Sequence, residues 1–208
     1  MKPTAPAIAI IVTTIIYAVG LAGFLLPEWL PLFEKLTPAN LIFASIMVFA
    51  FHRPYSRVFL AFTAAVFLTG WSVEWLGVNT KVIFGAYSYD DGLGFKLFDI
   101  PLIIGLNWVL LIYCTGTIAS YTPLPNWAKA ILGAMLMVVI DLLIEPFAIA
   151  HGLWSWETPT VPLRNYLAWF LVSFIMLLPF FHYRFSNHNP VAVAVYVLQV
   201  LFFGVLLF

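Results

Sequence analysis

Long apolar runs separated by short polar loops make up most of this chain and constrain its fold more than any other feature. A helix that crosses the hydrocarbon core of a bilayer needs about 20 apolar residues. Most of the seven runs approach that length, and in chain order they cover residues 5–26, 39–51, 58–76, 100–120, 127–150, 166–183 and 190–208. We therefore predict an all-α, polytopic integral membrane protein with about seven transmembrane helices in a single domain over residues 1–208.

The second run is the exception, because residues 39–51 would form only about 20 Å of helix at 1.5 Å per residue. We expect this helix either to begin earlier, near Thr37, or to enter the membrane only in part.

Composition agrees with a membrane protein. Of the 208 residues, 63% are hydrophobic and only 9% are charged, whereas charged residues make up about 25% of a typical soluble domain. The formal net charge is zero, so nothing in the charge balance favours a nucleic-acid partner. Cys114 is the only cysteine in the sequence, which excludes an internal disulfide. The expected surroundings are membrane lipids.

Basic residues predict the orientation in the membrane. With seven crossings, five basic residues and no acidic residue lie on one side: Lys2, Arg53, Arg57, Lys129 and Arg184. Cytoplasmic segments next to membrane helices carry an excess of lysine and arginine. We therefore predict that the N-terminus is cytoplasmic and that the C-terminus lies outside.

Three carboxylates inside or at the mouths of apolar runs are the strongest functional signal: Glu74, Asp141 and Glu145. A charged group within the bilayer costs several kcal/mol, so such residues usually face the protein interior and serve a function. Asp141 and Glu145 share one helix face because they are four residues apart. Pro146 removes one hydrogen bond from this helix and could open space beside Glu145. We expect one acid to be protonated at rest and to donate a proton; the alternative is that all three only fix helix packing.

Aromatic and amide side chains surround these acids in the sequence. The faces of aromatic rings can bind a polyene or stabilise a cation, although tryptophans near the ends of membrane helices also form interfacial belts. The amide of Asn107 could orient a carboxylate or a water molecule, or it could bond to a neighbouring helix. The full set of predicted substrate contacts is Trp71, Trp75, Tyr87, Tyr89, Asn107, Trp108, Trp154, Trp156, Asn165 and Trp169.

Several other kinds of membrane chemistry fit poorly. A retinal Schiff base needs a lysine within a span, but we predict that all five lysines, Lys2, Lys35, Lys81, Lys96 and Lys129, lie in loops or termini. A di-iron oxygenase needs many clustered histidines, and the chain has four, so we predict no metal site. The segment DLLIE at residues 141–145 resembles one aspartate-rich box of a membrane prenyltransferase, yet that chemistry needs two such boxes with basic residues. No glycine-rich phosphate loop is present.

Two loops are expected to lie on the same side of the membrane as the ends of the acid-bearing helices. Residues 77–99 are rich in glycine, tyrosine and aspartate, which predicts turns and short pieces rather than helix. Residues 151–165 carry two tryptophans and two prolines. With seven crossings both loops emerge on one face, close to Glu74 and Glu145.

Two blocks of the sequence, residues 70–108 and 141–170, resemble the membrane family of carotenoid 1,2-hydratases. That family includes the γ-carotene and bisanhydrobacterioruberin hydratases of bacteria and archaea. The first block matches at Glu74, Thr80, Phe84, Gly85, Tyr87, Tyr89, Leu93, Gly94, Pro101, Asn107 and Trp108. The second matches at Asp141, Glu145, Pro146, Trp154, Trp156, Pro162, Asn165 and Trp169. One departure is Lys81, where the family pattern leads us to expect glycine.

The resemblance implies addition of water across the terminal C1–C2 double bond of an acyclic carotenoid end, in a prokaryotic cytoplasmic membrane. Such hydration needs an acid, a pocket for a tertiary cation and a held water, but no cofactor. On chemical grounds, independent of the resemblance, we expect Asp141 or Glu145 to donate the proton and another carboxylate, Glu74, to position the water and take its proton. The implied partners are a lipid-soluble carotenoid and membrane lipids, together with further copies of this chain or other carotenoid enzymes.

Two alternatives remain open from the sequence. A lycopene cyclase would begin with the same protonation but would close a ring in a dry pocket. A carotenoid carrier or proton-coupled transporter would use the carboxylates as a relay, with acids spread across the membrane.

Overall fold

The computed structural model describes residues 4–183, 185 and 188–207. Seven α-helices occur in this part of the chain: α1 (Ala5–Leu25), α2 (Leu30–Ala50), α3 (Arg57–Thr80), α4 (Ile103–Ser120), α5 (Asn126–Ala150), α6 (Leu163–His182) and α7 (Pro190–Val205). Six are long and apolar enough to cross a membrane, and α7 is shorter, with 16 residues. The prediction of an all-α polytopic membrane protein is confirmed.

The short helix is not the one that the sequence indicated. We expected residues 39–51 to be the weak crossing, but α2 has 21 residues and begins at Leu30. Its first turns contain Glu34, Lys35 and Pro38, which interrupt the apolar run without ending the helix. Hydropathy therefore located only the apolar half of α2.

The fourth helix forms the centre of the bundle. All residues from Trp108 to Thr117 are buried, as expected for a helix that is apolar on every side. It contacts α2, α3, α5, α6 and α7, while α1 packs against α2 and α7. This arrangement leaves α1 and α2 with much of their surface on the outside of the bundle.

The two long loops predicted from the sequence contain short strands and lie at one end of the bundle. Strand β1 (Tyr87–Tyr89) pairs antiparallel with β4 (Trp154–Trp156), and β2 (Lys96–Leu97) pairs with β3 (Ile100–Pro101). The expectation that the two long loops share one face is therefore confirmed. The loop prediction for residues 77–99 was wrong only at its start, because α3 continues to Thr80.

A buried polar network joins the helices at the other end. The Tyr113 hydroxyl lies 2.9 Å from His52 Nδ1, and the Asn189 amide donates to the Val48 carbonyl at 2.8 Å. Burial lowers the pKa of His52, which favours the neutral ring in this apolar setting. Lys2 and Arg184, on which the predicted orientation partly depends, lie outside the described residues, so the orientation stays a prediction.

Candidate active site

The β1–β4 ribbon closes the site by presenting hydrogen-bond donors on one face. Tyr87 is paired with Trp156 and Tyr89 with Trp154. Because side chains alternate across a strand, these four rings share one face, while Ser88 and Ser155 take the other. The ribbon thus delivers two phenols and two indoles to the helix ends below it.

Glu74, near the end of α3, is buried and accepts three hydrogen bonds, two from ribbon tyrosines and one from an indole on α4. Its Oε2 accepts from the hydroxyls of Tyr87 at 2.5 Å and Tyr89 at 2.9 Å, and its Oε1 accepts from the Trp108 indole at 3.1 Å. Trp108 is stacked on Trp169 with ring centroids 4.3 Å apart. Three donors of this kind stabilise the ionised form of a buried carboxylate.

The two tyrosines are held as donors by their surroundings. Burial first, and then the neighbouring Glu74 carboxylate, raise the pKa of Tyr87 and of Tyr89 well above the ordinary value. Both phenols therefore keep their protons throughout the physiological range and can only donate to Glu74.

Asp141 and Glu145 lie one turn apart on α5 and share a partner, as their spacing predicted. The Asn165 amide nitrogen donates to Asp141 Oδ2 at 2.8 Å and lies 3.4 Å from Glu145 Oε1. Glu145 Oε2 also accepts from the indoles of Trp154 at 3.0 Å and Trp156 at 2.9 Å. Asp141 accepts only the Asn165 bond among the described residues, so its charged form is the least stabilised of the three.

A small polar pocket of about 30 Å³ lies between the three acids. Its walls consist of Glu74, Tyr87, Tyr89, Ile104, Asn107, Asp141, Ile144, Glu145, Trp154, Trp156, Asn165 and Trp169. A polar cavity of about 10–15 Å³ is enough for one water molecule if it offers several partners. This pocket therefore has room for one or two waters, and none of these wall residues is a lysine or an arginine.

A much larger apolar cavity of about 440 Å³ adjoins the polar pocket. The two spaces share four wall residues, Ile104, Asn107, Ile144 and Trp154. Six phenylalanines line the larger cavity: Phe24, Phe33, Phe43, Phe147, Phe202 and Phe203. A polar group on its wall is the Tyr17 hydroxyl, beside the amides of Asn40 and Gln199. A long apolar ligand could thus reach the acids through this space.

Most predicted site residues meet at the polar pocket, but three do not line it. Trp108 stands behind the wall, where it bonds to Glu74. Trp75 lies on the outer surface, 38% exposed. Trp71 packs near Phe98, and its indole nitrogen has no partner among the described residues. Trp71 precedes Glu74 by three residues and Trp75 follows it directly, yet neither tryptophan lines the pocket.

Sequence reasoning missed the phenylalanines of the larger cavity. They come from α1, α2, α5 and α7. Within a membrane helix that is apolar on every side, no periodicity separates a ring that faces lipid from one that faces a cavity. No signal in a single sequence could have found them.

A glycine on α3 controls how closely Trp108 approaches Glu74. A Cβ at Gly70 would lie 2.5 Å from Trp108 Cγ, and Trp108 is fully buried. We expect Gly70→Ala to lower the free energy of unfolding by about 1–3 kcal/mol, as overpacking typically does. Thermal unfolding in detergent would measure this effect. The control is Gly204→Ala, where no heavy atom lies within 4 Å of the new Cβ; equal melting of the two variants would contradict the expectation.

Comparisons with known proteins identify the family of the chain. Among curated proteins, the chain is 26% identical over 129 residues to a bisanhydrobacterioruberin hydratase of Haloarcula japonica. The match covers 56% of this chain and 42% of that relative, so it spans less than half of the relative's length. No solved structure matches. A family model described as carotenoid biosynthesis protein matches residues 37–208, a region that contains all three buried carboxylates. The chain therefore belongs to the carotenoid biosynthesis protein family.

Proposed function

We propose that this protein is a carotenoid hydratase of a prokaryotic membrane, which adds water across the terminal C1–C2 double bond of an acyclic carotenoid end. One observation carries the proposal: a water-sized pocket between three buried carboxylates adjoins a large apolar cavity and shares part of its wall. Hydration of an alkene needs an acid, a base and a held water beside an apolar substrate. The hydratase that the chain resembles at 26% identity supports the same class of reaction.

Asp141 is the proton donor in this proposal. It is buried at 1% exposure and accepts a single hydrogen bond among the described residues, so it is the acid for which the neutral form is most favourable. Two further carboxylates nearby add to that preference, because like charges in an apolar site do not ionise together readily. Its proton passes to C2 of the substrate, the C1–C2 π bond breaks, and a tertiary cation forms at C1.

Glu145 accepts the proton of the attacking water. Its Oε2 is occupied by two indole donors, whereas Oε1 has only the long 3.4 Å contact with Asn165, which leaves lone pairs free. The water oxygen bonds to C1 and releases one proton to Oε1. After this step Glu145 carries the extra proton and Asp141 lacks one. Asn165 contacts both side chains, which holds them close enough for the proton to return to Asp141.

Glu74 stabilises the cation as a fixed negative charge. Its three donors hold the carboxylate ionised and oriented before the substrate arrives, and preorganised charge of this kind lowers the barrier without rearrangement. The rings of Trp154, Trp156 and Trp169 on the pocket wall supply further stabilisation through their π faces. Asn107, at the boundary of the two cavities, is placed to hold the water.

Expression in a bacterium that accumulates lycopene tests the proposal. We expect new pigments heavier than lycopene by the mass of one water for each reacted end, identified by mass spectrometry. A product of unchanged mass with a shifted absorption spectrum would mean ring closure by a cyclase instead. Unaltered lycopene in cells whose membranes contain the protein would contradict both reactions on this substrate.

A further inference from the structure

The larger cavity is lined by exposed residues at one end and by buried residues at the other. At its outer end, Ile16, Val19 and Leu36 are 40%, 52% and 43% exposed. At its inner end, Ile104 is 6% exposed and shares the wall of the polar pocket. The outer residues all belong to α1 and α2, the two helices with the least buried surface among the six candidate spans. The larger cavity therefore reaches from the bundle's side to the wall that it shares with the polar pocket.

We propose that the cleft between α1 and α2 is a lateral entrance from the bilayer, and that the Phe-lined cavity behind it binds the polyene chain of the substrate. This inference rests on the proposed function for the identity of the ligand. The cavity volume of about 440 Å³ lies within the range of roughly 300–1,000 Å³ that ligand sites occupy. In this proposal the cavity receives one end of a long, stiff polyene, and the rest of the polyene passes between α1 and α2 into the bilayer.

The chemistry of the walls supports this occupant. A carotenoid dissolves only in the hydrocarbon region, so an aqueous entrance would bring it no closer to the site. Six phenylalanine rings offer flat apolar surfaces to a conjugated chain. Polar groups appear where the chain ends, at Asn107 and the three acids of the adjoining pocket. The reactive end of the carotenoid would therefore lie next to the acids, and its apolar chain would lie in the larger cavity.

Filling the cavity from the α1 wall tests the binding site. Gly20 lies on that wall, and a Cβ there meets only Phe202 Cε2 at 3.5 Å, an ordinary contact, so a large side chain at this position, as in Gly20→Trp, must occupy the cavity. We expect Gly20→Trp to reduce the carotenoid that copurifies with the protein by about tenfold or more, which corresponds to about 1.4 kcal/mol or more. Gly204→Trp, on α7 and outside the cavity wall, is the matched control.

The measurement is made in an Asp141→Asn background, so that retention does not depend on turnover. Equal retention by the Gly20→Trp and Gly204→Trp proteins would overturn the proposed binding site, whichever reaction the protein catalyses. So would recovery of a phospholipid in place of carotenoid from pigment-rich membranes. A third outcome is that only the Gly20→Trp protein loses the carotenoid, while the protein without substitutions yields no hydrated pigment. That result would support the binding cavity and refute the hydratase reaction.

Protection from labelling tests the entrance itself. Val19→Cys lies on the cavity wall and Ile15→Cys lies one turn away on α1, 56% exposed but outside the wall. The native Cys114 is fully buried. We expect added carotenoid to slow the reaction of a lipid-soluble maleimide with Val19→Cys but not with Ile15→Cys. If carotenoid does not slow the reaction at Val19→Cys, or slows it equally at both positions, the lateral entrance is overturned.

Discussion

Replacement of Asp141 by asparagine is expected to remove hydration almost completely. The amide keeps the size of the side chain and can still bond to Asn165, but it has no acidic proton for C2 of the substrate. General acid catalysis typically contributes about 10²–10⁴-fold to a rate, and we expect a loss within that range. The measurement is the yield of hydrated pigment per amount of membrane-inserted protein.

The control for Asp141→Asn is a carboxylate on the same side of the molecule that the site does not use. Glu157 directly follows β4, and its side chain is 61% exposed, paired with Lys81. Glu157→Gln removes a negative charge there and should leave hydration unchanged. Full activity of Asp141→Asn with normal insertion would exclude Asp141 as the acid and leave Glu145 as the remaining candidate on α5.

Replacement of Glu74 by glutamine is expected to have the second-largest effect. Glutamine is neutral, so it cannot stabilise the cation at C1, and its amide group would face donors from Tyr87, Tyr89 or Trp108. We expect hydration to fall about 10²–10³-fold, which is the size of effect seen when a preorganised electrostatic group is removed. A rate assay with extracted membranes and solubilised lycopene would measure the loss.

A second measurement separates charge from structure at Glu74. Glu74→Gln should still retain carotenoid, because Glu74 is not on the wall of the apolar cavity. Loss of both retention and activity would mean that the carboxylate mainly holds the β1–β4 ribbon in place. Loss of activity with retention intact is the outcome expected for a residue that acts on the cation.

Much of the site was predictable because membrane burial makes polar groups costly. Glu74, Asp141 and Glu145 were identified from their position in apolar runs, and the structure brings all three to one pocket. The i, i+4 spacing predicted that Asp141 and Glu145 would share a face, and Asn165 contacts both. In these cases the physical reason is local, since helix geometry and the cost of a buried charge can be read from neighbouring residues.

The prediction failed where hydropathy was the only guide. The apolar run 39–51 covers only part of α2, which begins at Leu30. The predicted helix was too short because polar residues in the first turns do not stop a helix that packs against other helices. The spacing of Trp71 and Trp75 around Glu74 suggested contact with the site, yet Trp75 faces outward. One full turn holds about 3.6 residues, so residues next to Glu74 in sequence point in quite different directions.

The sequence by itself determined that this is a helical membrane protein and which three acids are buried in it, because composition, helix length and the cost of burying charge depend on local chemistry. Only the tertiary structure decided how those acids differ. The three donors to Glu74 come from two separate elements, β1 and α4, and those to Glu145 come from β4 and α6. The cavity likewise forms between helices from both ends of the chain. Such long-range packing sets the hydrogen-bond partners of each carboxylate, and no local pattern encodes it.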